Sequence, residues 1–396
     1  MITFVRPACV SAFALFALGC AVKGSSDDDV GSTSSDAESS ESGEAFSCED
    51  PAADGLALRD VAVFQTIAIP VAADCEAIAP TARTAPIVAG RIAMLRATVS
   101  LGATWPATEV IARVELESSS GSEQLVGTCT RVDAGAGTAD LQVELPAAAI
   151  ATDTHYAVSV TTCAGEVLGA FPEAGTIELG AETTGIMRLH VVPFEVGGFV
   201  PDTSQAVLDG FRDAVLAHYP VTDVELTVGA VEPDTNGGVV DMGALLVRIV
   251  ELQDPNVADP SKRDIYYYGM VSGAATREQF CESCPTGTSE AGLGDRAGSS
   301  VGAAFGDALS ESTLVHELGH LHGLLHSPCG EPDLQDPDFP YADGTTHTEG
   351  WDFRTGELIP PSANDMMGYC QPRWVSDYNY RKLVDWVQRA STWRDA

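Results

Sequence analysis

The residues best suited to chemistry lie between positions 316 and 326, which read HELGHLHGLLH. His316 and His320 are four residues apart, so on a helix both imidazoles project from one face. Gly323 can take a positive φ that ends the helix and turns the chain, which lets His326 approach from a third direction. Three neutral imidazoles on one side of a Zn²⁺ ion leave an open position for water, and this arrangement is typical of a catalytic zinc site.

Two further residues of this segment are assigned by their position on the helix. Glu317 lies beside the paired histidines, where its carboxylate can reach a zinc-activated water rather than the metal, so it is the predicted general base. His322 follows His320 by two residues and faces roughly the opposite side, so it is excluded as a ligand. The alternative interpretation is a histidine-rich buried helix with no metal.

The full spacing H-E-x-x-H-x-x-G-x-x-H resembles that of the metzincin zinc endopeptidases, which carry a methionine-containing turn below the metal. Residues 364–370 read NDMMGYC and look like that turn. In the astacin-like and serralysin-like branches a tyrosine two residues after the methionine can contact the metal, and this pattern selects Met367 with Tyr369. Met366 is then explained by core packing.

The resemblance implies peptide-bond hydrolysis, in which Glu317 accepts the proton of a zinc-activated water and Tyr369 helps zinc to stabilise the oxyanion. It is nearest to exported bacterial metzincins, some of which cleave glycoproteins. The Gly298–Gly306 stretch resembles the edge strand along which metzincins align a peptide, so a protein or glycoprotein substrate is expected to bind as an added strand. Ser376–Arg389 looks like the helix that follows the methionine turn.

These residues belong to a region of mixed strands and helices from 186 to 396. Its expected fold is an α+β, metzincin-like catalytic domain. The pattern predicts a helix at Ser204–His218 and another that starts near Ser310 or Ser312. The predicted strands are Ile186–Val192, Val224–Val228, Ala244–Val250 and Asp264–Val271.

Residues 51–185 have a different pattern, with short runs of Val, Ile, Thr and Leu broken by Gly, Pro and Ser. No amphipathic stretch of helical length interrupts these runs, which predicts an all-β, sandwich-like domain. Its expected role is that of an accessory module or a pro-domain. The clearest predicted strands are Ile87–Val99, Glu109–Glu117, Leu141–Leu145 and Tyr156–Thr162.

The N-terminal residues indicate export. Residues 1–19 resemble a signal peptide, and the following Cys20 completes a segment that resembles a bacterial lipobox. Residues 20–50, rich in Ser, Asp and Glu, are predicted to be a disordered tether behind the lipidated cysteine. The expected location is the bacterial outer membrane or cell surface, with lipid as the only membrane anchor; the alternative is ordinary cleavage and secretion.

Eight cysteines remain after the signal peptide and Cys20, and an even number in an exported chain predicts disulfides. Pairing between cysteines that follow one another in the sequence is favoured. By the metzincin resemblance, the bridge Cys329–Cys370 would join the segment after His326 to the methionine turn below the metal. There are two alternatives. Cys281 and Cys284 could form a redox-active or zinc-binding C-x-x-C motif, and the thiolate of Cys48 or Cys75 could block the zinc in a proform. The favoured pairs are Cys48–Cys75, Cys129–Cys163, Cys281–Cys284 and Cys329–Cys370.

The formal net charge of −36 excludes a nucleic-acid partner, because such binding rests on Lys and Arg that neutralise phosphates. The acids of the 331–343 segment (Glu331, Asp333, Asp336, Asp338, Asp343) give weak support for Ca²⁺, and solvated loop charges are the other interpretation. Two further functions stay open: a non-catalytic surface binding or adhesion protein on this scaffold, and a metallo-exopeptidase. The intact Glu317 favours an active endopeptidase, while the sequence is silent on oligomeric state.

Overall fold

The secondary structure changes character near residue 186, from antiparallel strands to a parallel sheet with helices. The computed structural model describes residues 51–52, 54–280, 286–330 and 332–395. The predicted signal peptide, Cys20 and the tether lie outside the described residues, as do Cys48, Cys281 and Cys284. No helix in the described part is long and apolar enough to cross a membrane.

The first region contains thirteen strands among its described residues. They are β1 (Leu56–Gln65), β2 (Ile67–Ala73), β3 (Glu76–Ala77), β4 (Ile87–Val88), β5 (Ala93–Leu101), β6 (Thr108–Ser118), β7 (Gly121–Val126), β8 (Thr130–Val132), β9 (Thr138–Leu145), β10 (His155–Thr162), β11 (Val167–Phe171), β12 (Ile177–Glu178) and β13 (Ala181–Glu182).

The second region alternates strands with α-helices. They are β14 (Met187–Phe194), α1 (Gln205–His218), β15 (Val224–Val228), α2 (Met242–Val257), β16 (Ile265–Val271), α3 (Arg277–Phe280), β17 (Gly287–Ser289), β18 (Ser299–Ala303), α4 (Ala308–Leu321), β19 (Gly350–Asp352), β20 (Glu357–Ile359), β21 (Asn364–Asp365), β22 (Arg373–Trp374) and α5 (Asp377–Ala390).

Two antiparallel sheets build the first region, with strand orders β20-β19-β2-β1-β5-β9 and β11-β10-β6-β7. Along β6, β9 and β10 every second residue is buried, as expected of strands that turn one face to a core. Val61, Val114, Leu141 and Val158 from both sheets share one hydrophobic cluster. The predicted sandwich-like β region is therefore present, and the predicted strands Glu109–Glu117, Leu141–Leu145 and Tyr156–Thr162 lie in β6, β9 and β10. The predicted strand Ile87–Val99 is wrong as a single strand: it is divided into β4 and β5, because the chain turns at Gly90, whose φ is 74°.

The second region is built on the sheet β15-β14-β16-β18-β17, in which β17 alone runs antiparallel to its neighbour. Side chains on alternating positions of β16 face opposite layers. Tyr268 packs edge-on against Phe211 of α1, whereas Tyr267 accepts a hydrogen bond from Asn256 of α2. Helices therefore cover both faces, which explains why β16 is buried nearly throughout.

Two expectations about this region are wrong. The predicted strand Ala244–Val250 lies inside α2, because its apolar residues Leu245, Ile249 and Leu252 recur at helical spacing. Asp241 caps the same helix through a hydrogen bond from the Ala244 amide, 3.0 Å long. A short apolar run does not by itself distinguish a strand from a helix segment.

The second correction concerns the edge of the sheet. The stretch Gly298–Gly306 contains β18, which pairs with β16 on one side and with β17 on the other. The edge strand is therefore β17 (Gly287–Ser289), which no sequence pattern identified. Gly287, Thr288 and Ser289 are too few and too polar to be predicted as a strand from the sequence. They form a strand because they pair with β18.

The two regions are joined at the turn between β1 and β2, and they pack as one compact unit in the described part. Thr66 in that turn has a φ of 85°, and its carbonyl accepts hydrogen bonds from the Trp374 indole and the Trp351 amide. Its hydroxyl donates to the carbonyl of Ala217 at the end of α1. The division of the chain into separate domains at residues 185 and 186 stays a prediction.

Arg91 supplies the second half of this junction. Its guanidinium is buried and donates to the carbonyls of Leu216 and Tyr219, where α1 ends with unpaired acceptors. It also donates to the Thr66 hydroxyl at 2.5 Å. A residue of the first region therefore caps a helix of the second, and its positive charge complements the helix dipole.

We expect Arg91→Met to lower the free energy of unfolding by about 2–4 kcal/mol, because it leaves several buried acceptors without donors. Chemical denaturation of the purified protein measures this loss. Arg131→Met is the matched control, since Arg131 is exposed and, among the described residues, pairs only with the exposed Asp133. Equal stability of the two variants would show that the junction does not depend on Arg91.

Candidate metal centre

Helix α4 carries the central residues of the site and begins at a strong cap. Asp307 accepts a hydrogen bond from the Ser310 amide at 2.9 Å, so the helix starts two residues before the earliest predicted position. Arg277 clamps the same carboxylate with two donors, at 2.6 and 2.7 Å. This ion pair lowers the pKa of Asp307 to about 2, so the cap stays ionised at neutral pH.

The structure brings the three predicted ligands together. The Nε2 atom of His326 lies 3.3 Å from Nε2 of His316 and 3.1 Å from Nε2 of His320. Gly323 has a φ of 77°, so α4 ends where the sequence predicts, and the chain returns His326 to the pair. In the described part of the chain, these three residues form the one cluster of His, Cys, Asp and Glu able to hold a metal ion.

Each imidazole is oriented by a backbone carbonyl on a different segment. Nδ1 of His316 donates to the Met366 carbonyl and Nδ1 of His320 to the Leu324 carbonyl, both at 2.9 Å. Nδ1 of His326 faces the carbonyl of Asp333. These bonds place the proton on Nδ1, so every Nε2 presents a lone pair to the same point.

The donor set fits a zinc ion. Three lone pairs that face one another at this separation repel unless a cation lies between them, and nitrogens held about 2.0–2.1 Å from tetrahedral Zn²⁺ are roughly 3.3 Å apart. Burial lowers the pKa of His316 to about 3 and that of His320 to about 4, so both are neutral, as ligation requires. The geometry of this centre is therefore compatible with a bound metal.

Glu317 points from α4 toward the edge strand. A Cβ atom at position 287 would lie 2.3 Å from its Oε1, so only a glycine at that point of β17 leaves room for the carboxylate. Burial raises the pKa of Glu317 to about 8, while a hydrogen bond with Ser289 and the charge of Arg373 act in the opposite direction. The predicted base is thus placed between the histidines and the edge strand.

The methionine turn packs beneath α4. Met367 is fully buried, and its Sδ lies 2.4 Å from where a Cβ on Gly319 would stand. The glycine between the two helical histidines therefore allows the turn to approach closely. Met366 contributes the carbonyl that orients His316, a role that its side-chain type did not reveal.

Asp365 anchors this turn from inside the protein. Its carboxylate accepts hydrogen bonds from the amides of Met367 and Ser376, at 2.8 and 3.0 Å, and from the side chain of Asn379 at 2.8 Å. Burial raises the pKa of the carboxyl, although these donors oppose the shift. The sequence analysis missed Asp365, because nothing in the sequence pattern distinguishes a buried acid from a loop charge.

Tyr369 stands at the open side of the centre. Its hydroxyl lies 3.4 Å from Nε2 of His326, and half of the residue (52%) is exposed. Its amide donates to the carbonyl of Cys329 at 2.9 Å, which fixes the backbone next to the bridge between Cys329 and Cys370. The phenol is therefore near the three nitrogens and accessible from solvent.

The centre opens into a cavity of about 790 Å³. Its walls come from the edge strand and the loop behind it, from α4 and its return, and from the methionine turn. Arg373 also lines it, and no sequence signal had separated this arginine from surface ones. The lining residues are Thr286, Gly287, Thr288, Ser289, Glu290, Ala291, Gly292, Thr313, His316, Glu317, His320, Gly323, Leu324, Leu325, His326, Leu334, Tyr369 and Arg373.

Other residues singled out from the sequence take structural roles. His322 is buried against Tyr219 and Tyr266 and stands apart from the cluster, as predicted. Asp336, one of the candidate Ca²⁺ ligands, instead accepts from Lys382 at 2.7 Å and from Tyr378 at 3.1 Å.

The structure contains two of the four predicted disulfides. They are Cys129–Cys163 and Cys329–Cys370. The other two predicted pairs include cysteines outside the described residues and stay predictions.

Residues 271–384 match the family model described as Peptidase M66. The match spans less than a third of the chain but includes the whole of the centre. No curated protein matches the chain at a significant level. The family match supports a protease-type function and a place among the metallopeptidases.

The similarities to solved structures are weaker evidence than the family match. Metalloproteinase-II from Bacteroides fragilis is similar at 10% identity, with 75% of this chain and 82% of that chain covered and a TM-score of 0.31. The first C2 domain of human synaptotagmin XIII is similar at 9% identity, with 32% and 80% covered and a TM-score of 0.20. TM-scores this low do not establish a shared fold.

We expect Gly319→Ala to destabilise the protein by about 1–3 kcal/mol and to weaken its retention of zinc, because the new methyl group displaces Met367. Denaturant titration and elemental analysis after dialysis measure the two effects. Gly243→Ala is the control: it also lies in a helix, but its Cβ would meet only Asp241 Oδ1 at 3.4 Å. Loss of zinc in both variants would contradict the role of the close approach.

Proposed function

We propose that this protein is a zinc-dependent endopeptidase of metzincin type, which hydrolyses peptide bonds in protein or glycoprotein substrates. The observation that carries the proposal is the convergence of three Nε2 lone pairs beside a buried glutamate, in a cavity open to solvent. The match to the Peptidase M66 model supports the peptidase part. His316, His320 and His326 would hold the metal.

The residues of the chain have separate tasks in this reaction. Bound Zn²⁺ would supply Lewis acidity, which polarises the scissile carbonyl and acidifies the attacking water. Glu317 accepts the proton of that water on a carboxylate oxygen and then passes it to the nitrogen of the leaving amine. Tyr369 donates a hydrogen bond from its hydroxyl to the oxygen that gains negative charge.

The substrate would add to β17 as a further strand. Among the described residues β17 pairs only with β18, and Gly287, Thr288 and Ser289 all line the cavity. A peptide bound there places its backbone against Glu317, because that carboxylate lies directly over Gly287. A purely binding function gives no reason for a buried carboxylate at this point.

Glu317→Gln is expected to keep about one zinc per chain and to lose peptidase activity by at least about 100-fold, because an amide cannot accept the proton. Cleavage of a proteome-derived peptide library, with and without a chelator, measures activity, and elemental analysis measures the metal. His320→Ala should instead lose the metal itself. His347→Ala is the control, since that histidine is exposed and bonded to Asp343. A Glu317→Gln enzyme with near-normal turnover would remove Glu317 as the base.

Tyr369→Phe is expected to lower kcat by about 10- to 1,000-fold with little change in KM, since the lost hydrogen bond forms only as charge develops. Steady-state kinetics on a peptide identified from the library separates the two constants. Zinc content should stay at the wild-type level. Wild-type turnover in the phenylalanine variant would make Tyr369 a packing residue only.

We also propose that the protein is exported and anchored at the outer membrane or cell surface through lipid on Cys20. The support is the sequence of residues 1–50, which resembles a signal peptide, a lipobox and a polar tether. Cys20→Ala is expected to move the protein from the membrane fraction to the soluble one, as followed by fractionation and immunoblotting. Retention with membranes would require another means of attachment.

A further inference from the structure

Arg373 is the one arginine or lysine that lines the cavity within the described part. It lies on β22, in parallel register with Asn364 of the methionine turn. The next residue, Trp374, is buried and donates its indole N–H to the Thr66 carbonyl at 2.8 Å. The backbone that carries Arg373 is therefore held from two sides.

The guanidinium has no carboxylate partner within 4.0 Å in the described part of the chain. Its Nη1 donates to the carbonyl of Gly368 at 3.2 Å. With the Gln371 amide turned so that its oxygen faces the arginine, that oxygen accepts from Nε at 2.9 Å and from Nη2 at 3.0 Å. Of five guanidinium donors, three are thereby used and about two remain.

The buried Arg91 is satisfied by carbonyls and a hydroxyl, whereas two partly buried arginines elsewhere in this molecule are paired with acids. Arg277 is clamped to Asp307, and Arg354 donates to both oxygens of Asp352. Burial lowers the pKa of Arg373, while its electrostatic interactions with Glu317 and Tyr369 act in the opposite direction. A cation held in a cavity without an adjacent carboxylate retains its attraction for one.

We propose that Arg373 determines substrate specificity by binding the carboxylate of an acidic residue next to the scissile bond. The inference rests on the proposed peptidase function, because it places that residue beside Glu317 and Tyr369, which line the same cavity. A planar carboxylate suits two parallel N–H donors of a fixed guanidinium. The clamp by Gly368 and Gln371 fixes the guanidinium before substrate binds.

Two acids line the cavity beside Arg373, namely Glu317 and Glu290. Glu290, the second acid on its wall, accepts from the Ser299 amide at 2.7 Å and faces Arg296 at 3.9 Å, so its charge is already engaged. Arg373 is therefore the one Lys or Arg on the cavity wall in the described part, and no carboxylate pairs with it there.

The test compares peptides that differ only by Glu against Gln at each position flanking the scissile bond. We expect the wild-type enzyme to prefer Glu at one position by about 10- to 100-fold in kcat/KM. Arg373→Gln should reduce this ratio to about one, and Arg373→Lys should retain part of it. Arg248→Gln, a surface arginine remote from the cavity, should keep the wild-type ratio. Zinc content and the denaturation midpoint are measured for each variant.

A second arm uses binding rather than turnover. Fluorescence anisotropy of the Glu and Gln peptides on metal-free protein should show tighter binding of the Glu peptide to wild type, an advantage that salt weakens and Arg373→Gln removes. If neither peptide is cleaved by wild type, the proposed function fails, and this arm alone decides the role of Arg373. An unchanged Glu-to-Gln ratio in Arg373→Gln, in turnover or in binding, overturns the proposal.

Discussion

The site depends on one constraint: three imidazoles must keep their Nδ1 protons on backbone carbonyls so that three Nε2 lone pairs meet at one point. The carbonyls belong to Met366, Leu324 and Asp333, on three different segments. Lone pairs crowded in this way destabilise the apo protein, and a cation relieves that repulsion. The positions of α4, of the chain after it and of the methionine turn are therefore coupled through these hydrogen bonds.

Much of the surrounding structure serves to hold those carbonyls in place. Asp365 collects three donors beneath the methionine turn, and Gly319 lets α4 lie directly on Met367. The Cys329–Cys370 disulfide ties the segment after His326 to the end of the turn. Each contact restrains a different neighbour of the centre, so the geometry has several independent supports.

The first region is part of this framework as well. Its β1–β2 turn accepts the indole N–H of Trp374, the residue next to Arg373, while Arg91 caps the helix α1 that packs beside α4. Both contacts are buried, and both link residues more than 100 positions apart. The first region therefore stabilises the backbone that carries Arg373 and the end of helix α1 through buried hydrogen bonds.

The cluster of three histidines, the glutamate beside them and the turn in the chain were predictable from the sequence, because they depend on local spacing: four residues along a helix, then a glycine with positive φ. The sequence also determined the β region, since alternation of buried residues is a local signal. The edge strand β17, the helix α2 and the roles of Asp365, Gly287 and Arg373 became clear only from the folded structure. These depend on what lies across space: a neighbouring strand, a carboxylate overhead or the absence of an acid beside an arginine. A pattern along the chain contains no such information.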